Sequence, residues 1–123
     1  MPNSRESAFS IARTLAEHKG GEVLVLDLAA ESGWTDFFVI ATAMSSTHLR
    51  GLARYADEWA SQNKVQRLNT PKIQDDEEWV LLDLGDVVVH LMTERARAFY
   101  ELEKLWFKAA STSVEAPAAP GPA

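Results

Sequence analysis

The stretch Glu78 to Met92, EWVLLDLGDVVVHLM, limits what this chain can fold into more than any other segment. It reads as two short strands joined at Asp83-Leu84-Gly85-Asp86. A hairpin with one wet face alternates apolar and polar residues, whereas this one is apolar almost throughout and its few polar residues share one face. Side chains alternate across a strand, so Val80, Leu82, Val87, Val89 and Leu91 form a purely aliphatic face, which is assigned to the core. The opposite face carries Trp79, Leu81, Asp83, Asp86, Val88, His90 and Met92. With Leu84-Gly85 as a two-residue loop, Asp83 pairs with Asp86, Leu81 with Val88 and Trp79 with His90. Leucine suits such a loop badly, and a bulged turn would move the pairing without changing the faces.

Two arrangements fit the second face. Exposed, it is an apolar surface with polar tips, the kind that marks contact with another molecule, and tryptophan is enriched at the energetic centres of such contacts. Covered, it lies under another helix of the same chain.

The rest of the chain supplies three helical patterns. Residues 6–18 place Ala8, Ile11, Ala12, Leu15 and Ala16 at helical spacing and stop at Gly20-Gly21. Residues 46–62, with Ser45 or Ser46 as N-cap, place Leu49, Leu52, Ala53, Ala56 and Ala60 on one side. A helix over 94–108 has a core stripe of Ala98, Leu102, Leu105 and Ala109, with Phe99, Tyr100, Trp106 and Phe107 beyond it. Residues 22–28 and 36–43 are apolar on both parities, as inner strands are. A short edge strand is expected near Val65 to Leu68, and Asp75 to Glu78 form an acidic run that reads as a solvated loop. Helices and strands in this order predict an α/β fold, a mixed sheet packed with helices. One domain over 1–109 and a disordered Ala/Pro-rich tail over 110–123 are expected.

Charge and composition exclude several function classes. With 123 residues, 46% of them hydrophobic, the chain can bury one core. It has no cysteine, which removes disulfides, thiolate catalysis and cysteine-bound zinc. The N-terminal MPNSRESAFS holds no apolar run, so neither a secretory signal nor a membrane span is expected, and a cytoplasmic protein is. A formal charge of −6 opposes direct nucleic-acid binding, which needs cations to displace counterions from phosphate; it favours encounter with a basic protein.

No catalytic constellation emerges. Asp83, Asp86 and His90 share a face, but Asp86 and His90 are four strand residues apart, roughly 13 Å at about 3.3 Å per residue, too far to share one metal ion. Aspartates beside glycine at a turn serve the turn. His18 ends a helix, where it is a favourable cation or a bystander. His48 lies in the first turn of the next helix, where capping explains SSTH better than anion binding. Glycine-rich phosphate loops, nucleophile elbows and HExxH are absent. No cofactor, no metal and no catalytic residue are predicted.

DFFVIATAMSSTHLRGLA, WVLLDLGDVVVHLM and RAFYELEKLW, in that order and spacing over residues 6–108, resemble the bacterial ribosomal silencing factor (Iojap-like) family. The resemblance implies a nucleotidyltransferase-like α/β fold without that activity. It implies binding to ribosomal protein fourteen of the large subunit, steric blocking of small-subunit association, and lowered translation when nutrients are scarce, as in stationary phase. It also implies a homodimer in isolation. Trp79 matches the family's hairpin tryptophan, associated with partner contact; Leu81, Asp83, Asp86, Val88, His90 and Met92 accompany it by the face assignment. Tyr100, Glu103 and Trp106 match the terminal-helix motif. The alternative from another class is a nucleotidyltransferase-like enzyme using Asp83 and Asp86 with magnesium.

Overall fold

The computed structural model describes residues 3–29, 35–105 and 109–116. Its elements run α1 (Ser4–Glu17), β1 (Gly21–Asp27), β2 (Phe37–Ala43), α2 (Ser46–Gln62), β3 (Trp79–Asp83), β4 (Val87–Thr93), α3 (Glu94–Tyr100), α4 (Leu102–Leu105) and β5 (Ala110–Val114). The strands form one mixed sheet in the order β3-β4-β2-β1-β5. β2 and β4 run parallel at its centre, and every other neighbouring pair is antiparallel. The α/β class and the mixed sheet are as predicted.

Helices α1 and α2 lie on one face of the sheet. Asn3 caps α1, its side chain accepting from the Glu6 N–H at 2.8 Å, and Ser45 caps α2 by accepting from the His48 N–H at 3.0 Å. All ten helix positions predicted as core in α1 and α2 are buried, with Trp59 added to them. The chain turns sharply after α1 at Gly20, where any Cβ would stand 2.8 Å from the Leu15 carbonyl oxygen. Against these helices pack Val80, Leu82, Val87, Val89 and Leu91, together with Val23, Val25, Phe37 and Val39. The aliphatic face of the hairpin is therefore core.

The hairpin closes one residue later than expected. Asp83 faces Val88, Leu81 faces His90 and Trp79 faces Met92, and the Leu84 N–H donates to the Val87 carbonyl at 2.9 Å. The loop is Gly85-Asp86, not Leu84-Gly85. Its first residue has φ +87, which glycine adopts without cost and leucine does not. Face assignment survives the shift because each strand keeps its parity.

The C-terminal third departs furthest from expectation. Instead of one helix there are two short ones, separated at Glu101, which adopts φ 46 and ψ 48 while its N–H bonds the Arg97 carbonyl at 2.9 Å. That left-handed residue redirects the chain so that Leu102 buries against the sheet. The predicted stripe moves accordingly: Ala96 and Arg97 are buried and Ala98 is exposed. The tail does not begin at 110, because Ala110 to Val114 pair along β1 as a fifth strand; its alternating Ser/Thr residues carry too little apolar character to announce a strand. No strand forms at Val65 to Leu68. There the Leu68 N–H donates to the Asp83 carbonyl at 2.7 Å. The Asn69 side chain then spans two backbone groups of β3, donating to Leu81 O at 2.8 Å and accepting from Asp83 N at 2.9 Å. A side chain thus takes the place of a strand partner on that edge.

Candidate functional site

The second hairpin face is covered at its centre and open at its rim. Val88, Met92, Phe38, Ile40 and Leu26 are buried in a second core beneath Ala96 and Leu102. Arg97 fastens α3 to the sheet from within, donating to Thr42 Oγ1 at 2.8 Å and to the Gly21 carbonyl at 3.4 Å. Val88, His90 and Met92, expected on an open recognition surface, are therefore inaccessible: the apolar character of that face serves α3 and α4. Leu81 and Asp83 are half-buried and Asp86 is exposed.

At the end of α3 an aromatic cluster comes to the surface. Trp79 is half-buried at the sheet edge. Its indole N–H donates to His90 Nδ1 at 3.1 Å, and its other side meets Tyr100, with ring centroids 4.9 Å apart. Tyr100 in turn meets Phe99 edge-on at 4.9 Å. Phe99 is 78% exposed and Tyr100 52%. Two adjacent rings this open, continuous with a half-buried tryptophan, form an apolar surface that water does not favour. The sequence pattern places Phe99 only in the excess apolar surface of the last helix; its neighbour Tyr100 carries the motif. Trp106 lies outside the described residues, as does the side chain of Glu103.

His90 holds the cluster from below. Only 3% exposed, it packs edge-on against Phe38 with centroids 4.4 Å apart. Burial pushes its pKa down from the usual 6.5 to about 4, because the charged form cannot be solvated there. It is neutral at pH 7, and accepting the indole proton at Nδ1 assigns its own proton to Nε2. That Nε2 has no hydrogen-bond partner among the described residues.

The remaining polar candidates have structural work. Asp83 Oδ1 accepts from the Gly85 N–H at 2.9 Å and so shapes the turn. The Asp86 carbonyl accepts from the N–H groups of Asp36 and Phe37 at 3.0 Å each. His48 uses both ring nitrogens, accepting from Met44 N and donating to the His18 carbonyl, each at 2.9 Å, which joins the start of α2 to the end of α1. The His18 ring stacks on Tyr55 at 3.5 Å. Among the described residues no group of three or more His, Cys, Asp or Glu side chains is placed to hold a metal ion. No described helix is long and apolar enough to cross a membrane.

Comparison with known proteins places the chain and its fold in a family context. A family model described as "Ribosomal silencing factor during starvation" matches residues 1–122. The chain is 37% identical over 101 residues to the ribosomal silencing factor of Treponema pallidum, covering 81% of this chain and 89% of that protein. It is 33% identical over 94 residues to a mouse protein named for mitochondrial assembly of the ribosomal large subunit, covering 75% of this chain and 41% of the mouse protein. A crystal structure of a protein from Chromobacterium violaceum superposes with a TM-score of 0.81 at 27% identity, covering 86% of this chain and 88% of that one.

Proposed function

This chain belongs to the ribosomal silencing factor family, and from that premise we propose that it docks on ribosomal protein fourteen of the large subunit and bars the small subunit from joining. Bound there, it lowers translation when nutrients are scarce. The observation that carries the docking site is the open aromatic cluster of Trp79, Phe99 and Tyr100 at the end of α3. Aromatic side chains supply large contact area for few rotatable bonds, and they dominate the energetics of interfaces. In the sequence, Asp76, Glu77 and Glu78 precede β3, and Glu94 and Glu101 bracket α3. That charge suits a basic ribosomal protein. The mouse relative's name, which refers to the large subunit, supports the choice of subunit.

The role is one of obstruction, without catalysis, and it is exercised in the cytoplasm, where ribosomes work. A magnesium-dependent transferase built on Asp83 and Asp86 is not favoured, since Asp83 serves the hairpin turn. In the absence of ribosomes the same aromatic cluster offers a face for a homodimer, and dimerisation would then compete with docking.

Co-sedimentation with purified large subunits through a sucrose cushion tests the site. A specific contact buries roughly 1,200–2,000 Å² in total, and loss of a central aromatic weakens it by roughly thirtyfold or more. Trp79→Ala and Tyr100→Ala are each expected to leave a folded protein, by circular dichroism, that no longer sediments with the subunits. Undiminished co-sedimentation of both would remove the cluster from the docking site.

A further inference from the structure

A hollow of about 180 Å³ opens beside the aromatic cluster, lined by Glu78, Arg95, Ala96, Phe99 and Tyr100. We propose that it is a socket for one arginine side chain of the docked partner. The inference rests on the docking reading and adds to it the chemistry of one contact.

Three features of the hollow point to a cation. Two aromatic residues, Phe99 and Tyr100, line it, with their rings set at 82° to each other, and aromatic rings attract a guanidinium. It also holds a carboxylate already in position. Glu78 Oε1 accepts from the Thr93 hydroxyl at 3.4 Å, and its carbonyl accepts from the Thr93 N–H at 2.9 Å, which fixes Glu78 to the end of β4. Finally, a cation of this chain stands there loosely. Arg95 Nε is 3.8 Å from Glu78 Oε1, beyond hydrogen-bond length, and its side chain is 87% exposed. An exposed pair at that distance contributes little, so a partner's guanidinium can displace Arg95 with little loss. The volume admits one long side chain and excludes a helix or strand. Arginine fits better than lysine because its planar group stacks on rings while donating in a fork to a carboxylate.

Four substitutions and one probe test the socket. Glu78→Gln is expected to weaken binding to purified large subunits about tenfold. Phe99→Leu, which keeps the apolar bulk and removes the ring face, is expected to weaken it about threefold. Arg95→Ala is expected to tighten binding more than Arg13→Ala, which removes the same charge from exposed α1 surface. Independently of ribosomes, N-acetyl-arginine methylamide titrated into the isolated protein should shift amide resonances around Glu78, Phe99 and Tyr100, and Glu78→Gln should abolish the shifts. Wild-type binding by Glu78→Gln and Phe99→Leu, with Trp79→Ala still defective, would overturn the socket and leave the docking site standing. Response to the arginine probe in a protein that never engages large subunits would leave the socket and overturn the docking reading.

Discussion

Replacing His90 by asparagine should flatten the acid limb of the protein's stability curve. In the folded state the His90 pKa is pushed down to about 4, against an ordinary 6.5. The unfolded chain therefore binds this proton more readily, and stability rises with pH wherever that difference in binding exists. The contribution is complete above about pH 6.5, declines as the pH falls towards 4 and is level below that. A separation of about 2.5 pKa units at about 1.36 kcal/mol each sets a ceiling of about 3 kcal/mol. Between pH 7 and pH 5 the same linkage gives a loss of about 2 kcal/mol. Asparagine does not titrate, and its Oδ1 can occupy the place of Nδ1 and keep an acceptor for the Trp79 indole. Urea unfolding of both proteins at pH 7 and pH 5, followed by far-ultraviolet circular dichroism, measures the effect. Carboxylates and the other two histidines cancel between the two proteins, so the wild type should lose about 2 kcal/mol more than His90→Asn over that interval. Equal losses would show that His90 charges freely in the folded protein, and that its environment is not the dry one described.

Two further outcomes test the sheet's edges. Asn69→Ala removes both side-chain bonds to β3 and should cost about 1–2 kcal/mol, seen as a melting temperature lower by about 5 °C, with increased light scattering from the bared edge; an unchanged melting temperature would mean the clamp does not persist in solution. A chain ending at Ala109 loses β5 and should melt several degrees below one ending at Ala116, whereas equal melting would show that β5 adds nothing to β1.

Much of this architecture is legible in the sequence. Residue parity in the hairpin separated Val80, Leu82, Val87, Val89 and Leu91 from their neighbours, and helical spacing identified the buried sides of α1 and α2, because burial selects side chains directly. Backbone events were less visible. Nothing in AFYELEKL signals a break, since Glu101 holds a left-handed conformation that glycine or asparagine would normally supply; the burial of Leu102 offsets it. β5 was missed because its partner edge on β1, and not its own side chains, makes it a strand. Asn69 looks like any loop asparagine until β3 is set beside it. The candidate site was half legible for the same reason. Trp79 and Tyr100 reach the surface and Val88, His90 and Met92 do not; periodicity says that a face is apolar and does not say what lies on it.

A sheet apolar on both sides needs two covers, and the two here are unequal. The helices on one side have 14 and 17 residues, while α3 and α4 have 7 and 4. Among the described residues this cover protects the centre of the second face and leaves Trp79, on the β3 edge, half-buried. The indole N–H is spent inward on His90, so the ring is held in place before any partner arrives, and less rotamer freedom remains to be lost on binding. A charged His90 would turn both of its nitrogens into donors and oppose the indole N–H. Burial that keeps His90 neutral above about pH 4 therefore also keeps the aromatic cluster in shape. The core and the proposed docking site meet in one hydrogen bond. For that reason Trp79→Phe, which retains an apolar ring and loses the N–H, should weaken both stability and docking, whereas Phe99→Leu at the exposed rim should weaken docking alone.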